Sequence, residues 1–479
     1  MKDKAFKEKS LQREDVIFPH VKAEHRWGYK DTKFILKDNG KVTVSGSRYP
    51  VSGYEMARLI PFANEVLQHP FSDIKRPEME VQLPPPKRNK LFVSELQKEH
   101  KNRLSFEDKE RLIHSHGQTT ADEVMKVLYC GGMERYADAV FYCIEEEEVF
   151  SIVTLAQKYN VCLVPYGGGT SVSSSLTLPT NEKRMIVVVD TSRLTKILSL
   201  DTNNHYVTVQ SGITGETLEQ FLKKSGYTTG HEPDSIEFST VGGWIATNAS
   251  GMKKNRYGNI EDIVDRFTMV TPKGIIESQH MFPRTSSGMQ ISRLLFGSEG
   301  NVGIITRATL KIRKVPKQQG YESIIFKDFS TGIQFLKDMK DLQTYPASIR
   351  LMDNIQFRFG QALKAEAGFL KKIVRALQIF ILKVLKRFNL KKMSAATIVF
   401  EGTKEEVVHQ KTMMKKLAKK YNGVFGGGSN GKLGYALTYA IAYIRDFFLD
   451  YYILGETYET TVLWNDIEKV CDALQKKHL

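Results

Sequence analysis

The sequence predicts an α+β protein of two or three domains, and three observations carry that reading. Short apolar strand patterns alternate with short helical patterns from about residue 135 to 315. A second set of alternating segments begins at residue 316. Before residue 132 the chain is instead charged and helical in pattern, with a proline-rich stretch. With 479 residues, 41% of them hydrophobic, the chain is long enough to bury a large core.

The elements follow in order. Residues 1–60 gather aromatic and basic side chains around Arg26-Trp27-Gly28-Tyr29, and residues 69–90 end in Pro84-Pro85-Pro86, which reads as a stiff linker. Residues 94–130 read as helical. Residues 139–144 read as a strand, and the acidic run 145–148 opens a helix to Lys158, since carboxylates favour a helix N-terminus. Strands follow at 161–164 and at 185–190, the latter β-branched at its centre. Residues 206–211 alternate like a half-buried strand, and 216–224 form a short helix that stops near Gly226. Segments 321–326 and 396–400 are strands of the second region. The sequence has no internal repeat.

Composition narrows the partners. A formal net charge of +15 suits nucleic acid, an anionic membrane surface or anionic substrates. No zinc-finger spacing and no aromatic RNA-binding motif occurs, so nucleic acid is not expected. Cys130, Cys143, Cys162 and Cys471 show no C-x-x-C pattern and read as thiols of a reducing compartment. No metal site is expected from the scattered histidines, and His114 and His116 read as surface residues. No run reaches the ~20 apolar residues that span a bilayer. Met1 to Ser10 lacks an apolar signal core, and Lys477-His478-Leu479 only loosely matches a peroxisomal tripeptide.

Three glycine-rich blocks carry the chemistry. The first is Pro165-Tyr166-Gly167-Gly168-Gly169-Thr170-Ser171-Val172, directly after a strand. Glycine lets backbone approach a ligand closely, and successive N–H groups in such a turn make a concavity for an anion such as a pyrophosphate. It is neither a Rossmann fingerprint nor a P-loop, and a tight turn would also explain it alone. The second block runs from His231 through Gly251, and no charged residue occurs between Ser239 and Met252. Small side chains there allow backbone to lie against a flat ligand, or helix to pack tightly on sheet. The third, from Phe296 to Thr306, reads as a glycine turn entering a strand.

In this order and spacing, over about residues 135–315, the blocks resemble the FAD domain of the vanillyl-alcohol-oxidase / p-cresol-methylhydroxylase superfamily. The run from Asn248 to Asp262 is similar to the signature of the alkyldihydroxyacetonephosphate synthase family. So are Ser348 to Asn354, Tyr439 to Asp446, Tyr452 to Thr457 and Arg26 to Tyr29, which extends the likeness to nearly the whole chain.

The resemblance implies a two-subdomain p-cresol-methylhydroxylase-type FAD-binding domain at 133–315. It also implies an α+β cap (substrate) domain at 316–479 and a helical N-terminal region at 1–132. It implies FAD held by Pro165, Tyr166, Gly167, Gly168, Gly169, Thr170 and Ser171 at the pyrophosphate. Asp234, Ser235, Ile236, Glu237, Phe238, Ser239 and Thr240, with Thr247, Asn248, Ala249 and Ser250, are implied to line the flavin. Glu299, Gly300, Asn301, Val302, Gly303, Ile304 and Ile305 are implied to complete the site. Flavin-linking relatives often carry histidine in the first loop; Thr170 implies a non-covalent flavin.

By the same resemblance, Arg445 binds substrate and Arg350 supports activity. The implied reaction exchanges the acyl chain of acyl-dihydroxyacetone phosphate for a long-chain fatty alcohol, through a flavin N5 adduct with no net redox change. This forms the ether bond of ether lipids. The family's catalytic tyrosine and His-His-His motif find no counterpart here, so a chain shorter at its C-terminus than the family is expected. Implied alternatives are an FAD oxidase or dehydrogenase of a 2-hydroxy acid or phenol, and a non-catalytic lipid- or partner-binding derivative. A peroxisomal location and a homodimer are family expectations. Residues 369–388 form a basic amphipathic pattern without an acidic residue, which suits an anionic membrane surface.

Overall fold

The computed structural model describes residues 21–68, 70–277, 286, 289–342, 344–365, 379–457 and 459–478. In the N-terminal region, β1 (Phe34–Leu36), β2 (Val42–Val44) and β3 (Glu55–Met56) form an antiparallel sheet. Helices follow at Leu59–Leu67, Lys90–Glu99, Asp108–Ile113 and Ala121–Tyr129. A helical region with a proline-rich linker was expected, and the small sheet adds to it; strands of two or three residues carry too little alternation to register as a pattern. Trp27, Tyr29, Val42 and Met56 share a core with Tyr443, Ile444 and Phe447 of the helix Ile441–Leu449, so distant parts of the chain are clamped together.

Then come β4 (Leu104–Ser105), β5 (Ala139–Tyr142), β6 (Cys162–Tyr166) and β7 (Ile186–Asp190). They form a sheet in the order β4-β5-β7-β6, with β7 parallel to both of its neighbours. All of β7 is buried, which is why it is a continuous β-branched run without a polar face. Between β5 and β6 the helix Glu146–Tyr159 begins with a reciprocal capping box of Glu145 and Glu148 and ends at Asn160, φ 52°.

The next sheet is antiparallel. It contains β8 (Ile197–Asp201) and β9 (Tyr206–Gln210), followed in the chain by the outlying β10 (Tyr227–Thr228). After these come β11 (Val264–Thr271), β12 (Gly274–Glu277), β13 (Ile304–Lys311) and β14 (Arg313–Lys314), the last paired with β10. The sheet order is β12-β11-β13-β9-β8. The helices Gly215–Lys224 and Val241–Ala246 bury Leu218, Leu222 and Trp244 against Val207, Phe267 and Leu310 of this sheet.

The last region holds β15 (Gln318–Phe326), β16 (Ser348–Met352), β17 (Ser394–Gly402) and β18 (Val424–Phe425), all antiparallel, in the order β16-β17-β15-β18. β15 and β17 pair along their full length, from Gln318 opposite Gly402 to Phe326 opposite Ser394. The helices Phe329–Met339 and Lys404–Lys420 cover one face. The helix Gly428–Ala436 lies directly on β15, where a Cβ on Gly431 would sit 2.4 Å from the Glu322 carbonyl oxygen. Of the amphipathic segment, residues 369–378 lie outside the described residues. The rest is helical to Leu385, with Phe380 and Leu385 54% and 69% exposed and Leu382 and Phe388 buried. Among the described residues no helix is long and apolar enough to cross a membrane.

Candidate functional site

The three glycine blocks, far apart in sequence, form one continuous wall. The first leaves the end of β6. A Cβ on Gly167 would meet Thr240 Oγ1 at 2.6 Å, and one on Gly168 would meet the Phe238 carbonyl oxygen at 2.2 Å. Gly169 has φ +72° and faces the Tyr166 hydroxyl. The first loop is thus pressed against the second block without room for side chains.

Thr240 caps the helix Val241–Ala246 through Gly243 N–H, and Gly242 N–H donates to Ser211 O at 2.7 Å, which fixes this helix on the sheet. Trp244 Nε1 donates to Ser239 Oγ at 2.8 Å. The third block hangs from this helix: Gly297 and Glu299 N–H groups donate to Ile245 O and Ala246 O at 3.1 and 2.9 Å. A Cβ on Gly300 would reach Pro165 Cδ at 2.9 Å, and Ser173 Oγ donates to Glu299 Oε1 at 2.5 Å.

The expected site residues fall into different places. Thr247 and Asn248 are exposed, with Asn248 at φ 49°, while Ser250 Oγ is held on Asn259 Oδ1 at 3.0 Å. Ile304 and Ile305 are 3% and 7% exposed, pack into two different cores and pair with β11 opposite Val270 and Met269, so their side chains face away from a ligand. Gly303 is pressed on Val270 O. Phe238 is buried between Trp27 and Tyr29, with ring centroids at 5.2 and 4.7 Å. Glu237 accepts from the Tyr49 hydroxyl at 2.6 Å, so the N-terminal region braces the second block.

Arg350, on β16, bridges two regions. Its Nη1 donates to Thr438 Oγ1 at 2.9 Å and its Nη2 to Asp234 Oδ1 at 3.2 Å. Asp234 keeps 58% of its side-chain surface accessible. It is nevertheless desolvated by surrounding protein, which raises its pKa although Arg350 lowers it.

Behind Asp234 lies an ionic network that sequence reasoning missed. Lys253 Nζ sits 2.6 Å from Glu232 Oε2 and 2.8 Å from Glu401 Oε1, and the Tyr439 and Tyr257 hydroxyls donate to Glu232 and Glu401. Burial opposes ionisation of Glu232, but the Lys253 ammonium overrides it and holds its pKa below the usual value. Glu401 stands next to the last residue of β17, so the network joins the second block to the β16-β17-β15-β18 sheet. No local motif announces it, because its members come from three segments.

His114 and His116, read from sequence as surface residues, are buried at 5% and 0% exposure. His114 Nε2 lies 2.8 Å from Asp190 Oδ2, at the end of β7. Among the described residues His116 Nε2 has no hydrogen-bond partner, and burial pushes its pKa to about 4. His231, against Trp244 with a centroid distance of 4.7 Å, has neither ring nitrogen hydrogen-bonded among the described residues and is likewise pushed to about 4 by burial.

The segment that follows His116 backs the first loop: Gln118 N–H donates to Gly169 O at 2.9 Å. Arg445 also lies behind that loop. Its guanidinium donates to Asp446 Oδ1 at 3.0 Å from Nε and 2.5 Å from Nη2, to Gln118 O at 3.0 Å, and to Thr119 O. The expected substrate contact would compete with these protein acceptors.

Comparison with known proteins agrees with this geometry. The family described as FAD binding domain matches residues 137–278, and the family of FAD linked oxidases, C-terminal domain, matches residues 315–478. The chain is 40% identical over 450 residues to alkyldihydroxyacetonephosphate synthase of Caenorhabditis elegans, covering 93% of this chain and 74% of that one. Against the enzyme of the same name from Dictyostelium discoideum, identity is 32% over 466 residues, with 93% and 75% covered. A solved structure of alkyldihydroxyacetonephosphate synthase superposes with a TM-score of 0.85 at 28% identity, over 96% of this chain and 84% of that one. The chain therefore belongs to the alkyldihydroxyacetonephosphate synthase family of FAD-binding proteins.

Proposed function

We propose that the chain is an FAD-dependent alkylglycerone-phosphate synthase. It exchanges the acyl chain of acyl-dihydroxyacetone phosphate for a long-chain fatty alcohol and so forms an ether lipid precursor. The single observation that carries the reading is the likeness to enzymes of that name across nearly the whole chain, 40% identical over 93% of it. In the proposed division, residues 133–315 bind the cofactor, residues 316–479 form the substrate cap, and residues 1–132 brace both.

The residues present fit FAD. The cradle at Gly167, Gly168 and Gly169 is closed to any Cβ, which leaves backbone N–H groups as the ligand-facing surface for a pyrophosphate. Thr247, Asn248 and the 299–303 turn offer further backbone to the flavin. No histidine stands in the first loop, so the flavin is held non-covalently. When bound, the flavin supplies the nucleophile for an exchange with no net redox change.

The chain's own groups do the rest. Asp234, its pKa raised above the usual carboxylate value by burial, suits a carboxyl that takes and releases a proton at the site. Arg350 orients Asp234 and ties it to Thr438 on the cap side. A substrate phosphate at Arg445 would exchange with the Gln118 and Thr119 carbonyls, and a guanidinium suits that bidentate exchange. Exposed Phe380, Val384 and Leu385, interleaved with Lys383, Lys386 and Arg387, support peripheral contact with an anionic membrane that delivers the lipid substrates. A peroxisomal site of action and a homodimer complete the reading by family analogy.

The test of the cofactor assignment is direct. The purified chain should be yellow, and acid precipitation should release its flavin into the supernatant. Flavin that stays in the pellet contradicts non-covalent binding, and a protein that stays colourless after incubation with FAD contradicts the cofactor reading altogether.

A further inference from the structure

We infer that Lys22, on the N-terminal arm, is the countercharge to the pyrophosphate of the bound dinucleotide, and that the arm acts as a clasp over the first glycine loop. The inference rests on the cofactor reading and extends it to a segment outside both family matches, which begin at residue 137.

The arm is a short hairpin. Ala23 N–H donates to Gly28 O at 2.8 Å, and Lys30 N–H to Val21 O at 2.9 Å. It is fastened rather than trailing. Arg26 pairs with Asp450 and Glu78 at 2.6 Å each, and Trp27 N–H donates to Asp446 Oδ2 at 2.8 Å. Gln118 links the arm to the glycine loop: its side chain donates to Ala23 O at 2.8 Å, while its backbone N–H donates to Gly169 O at 2.9 Å.

This fastening brings Lys22 beside Phe238, the residue on which the loop packs. Its ammonium stands 5.5 Å from the centroid of the Phe238 ring, and the Phe238 carbonyl is the atom against which Gly168 is pressed. Among the described residues Lys22 has no ion pair and no hydrogen bond from its ammonium. The acid that acts on it through space, Asp190, is already engaged by His114 at 2.8 Å and by Ser192 N–H at 2.6 Å. Lys22 is solvent-accessible, yet surrounding protein desolvates it and lowers its pKa.

A desolvated cation that has only a ring face and no ion pair among the described residues is unfavourable in the free protein, and an anion placed beside it removes that penalty. Lysine is suited to phosphate as a point charge. The glycine loop supplies neutral N–H donors; Lys22 supplies the charge that they lack.

The test uses the full chain stripped of flavin, with FAD affinity read by fluorescence quenching and apo-protein stability by thermal unfolding. Lys22→Met should weaken FAD binding by at least about ten-fold, the scale of one charge-assisted contact. Its apo form should unfold at the parent temperature or above it, because an unpaired desolvated charge has been removed. Lys22→Arg should restore most of the affinity. Parent-like FAD affinity in Lys22→Met overturns the inference. So does an apo form that unfolds at a lower temperature than the parent, which would make Lys22 a structural residue. A parent chain that binds no FAD overturns the cofactor reading as well.

Discussion

Gly168→Ala probes the joint between the first two glycine blocks with one methyl group. The new Cβ would lie 2.2 Å from the Phe238 carbonyl oxygen, 2.9 Å from its carbon and 3.1 Å from Ser239 Cα. All three are backbone atoms of a braced segment, so no side chain can swing aside. A carbon–oxygen contact normally sits at about 3.3 Å, so one block must withdraw by roughly 1 Å. Overpacking of this kind costs about 1–3 kcal/mol, and each 1.4 kcal/mol is ten-fold in an equilibrium constant. The displaced loop is the proposed pyrophosphate cradle, so the strain should appear in FAD affinity as well as in stability. The assay is FAD titration by fluorescence quenching, with thermal unfolding of the apo and loaded forms. Affinity should fall by about ten-fold or more and the apo protein should unfold earlier. Gly360→Ala is the control: nothing lies within 4 Å of its Cβ, and it sits inside the helix Asn354–Ala362. It should be neutral or stabilising by about 0.5–1 kcal/mol. Parent-like affinity and stability in Gly168→Ala would refute the reasoning.

Other perturbations separate the remaining parts. Lys253→Met leaves Glu232 and Glu401 buried and unpaired, and chemical denaturation should register a loss of about 3–5 kcal/mol; a loss below 1 kcal/mol would remove the network from the junction. Arg350→Ala breaks a pair whose side chains are 40% and 58% exposed, so stability should change by less than about 1 kcal/mol. Activity should nevertheless fall, and the acid limb of its pH profile should move to higher pH, because Asp234 loses the cation that favours its ionised form. An unmoved acid limb argues against Asp234 as the titrating group. His116 and His231 are both pushed to about 4 by burial, so their folded pKa lies below the unfolded value of about 6.5. Stability is then lost as pH falls from about 6.5 towards 4, by up to about 3 kcal/mol for each histidine. His116→Asn should flatten that acid-side decline when unfolding is measured across the window, and an unchanged slope would mean that His116 is not buried neutral. Leu385→Asp should reduce cosedimentation with anionic vesicles while FAD remains bound; unchanged binding would exclude the exposed end of the amphipathic segment.

Much of the fold was legible because burial left a periodic trace. The buried, β-branched β7, the acid-opened helix Glu146–Tyr159 and the long β15 and β17 strands each carry their own signal. The glycine blocks were legible for a different reason: close backbone approach excludes side chains, and only glycine records that demand. What escaped were contacts made across the chain. The polar run at His114 to Gln118 looks exposed, yet Asp190 and Gly169 bury it from more than fifty residues away. Lys253 reads as one lysine among many until Glu232 and Glu401 converge on it. The small sheet β1-β2-β3 is too short to show a period, although it anchors the arm that bears Lys22. Arg445 was legible as a motif residue, but its engagement with Asp446, Gln118 and Thr119 was not.

The most direct measurement supplies the FAD-loaded chain, without oxygen, with acyl-dihydroxyacetone phosphate and a long-chain fatty alcohol. Released fatty acid, ether product and flavin absorbance are then followed together. The account predicts fatty acid and alkyl-dihydroxyacetone phosphate in equal amounts, over many turnovers, with the flavin still oxidised at the end. Stoichiometric flavin reduction without an ether product, or no product from fully loaded protein, would contradict it.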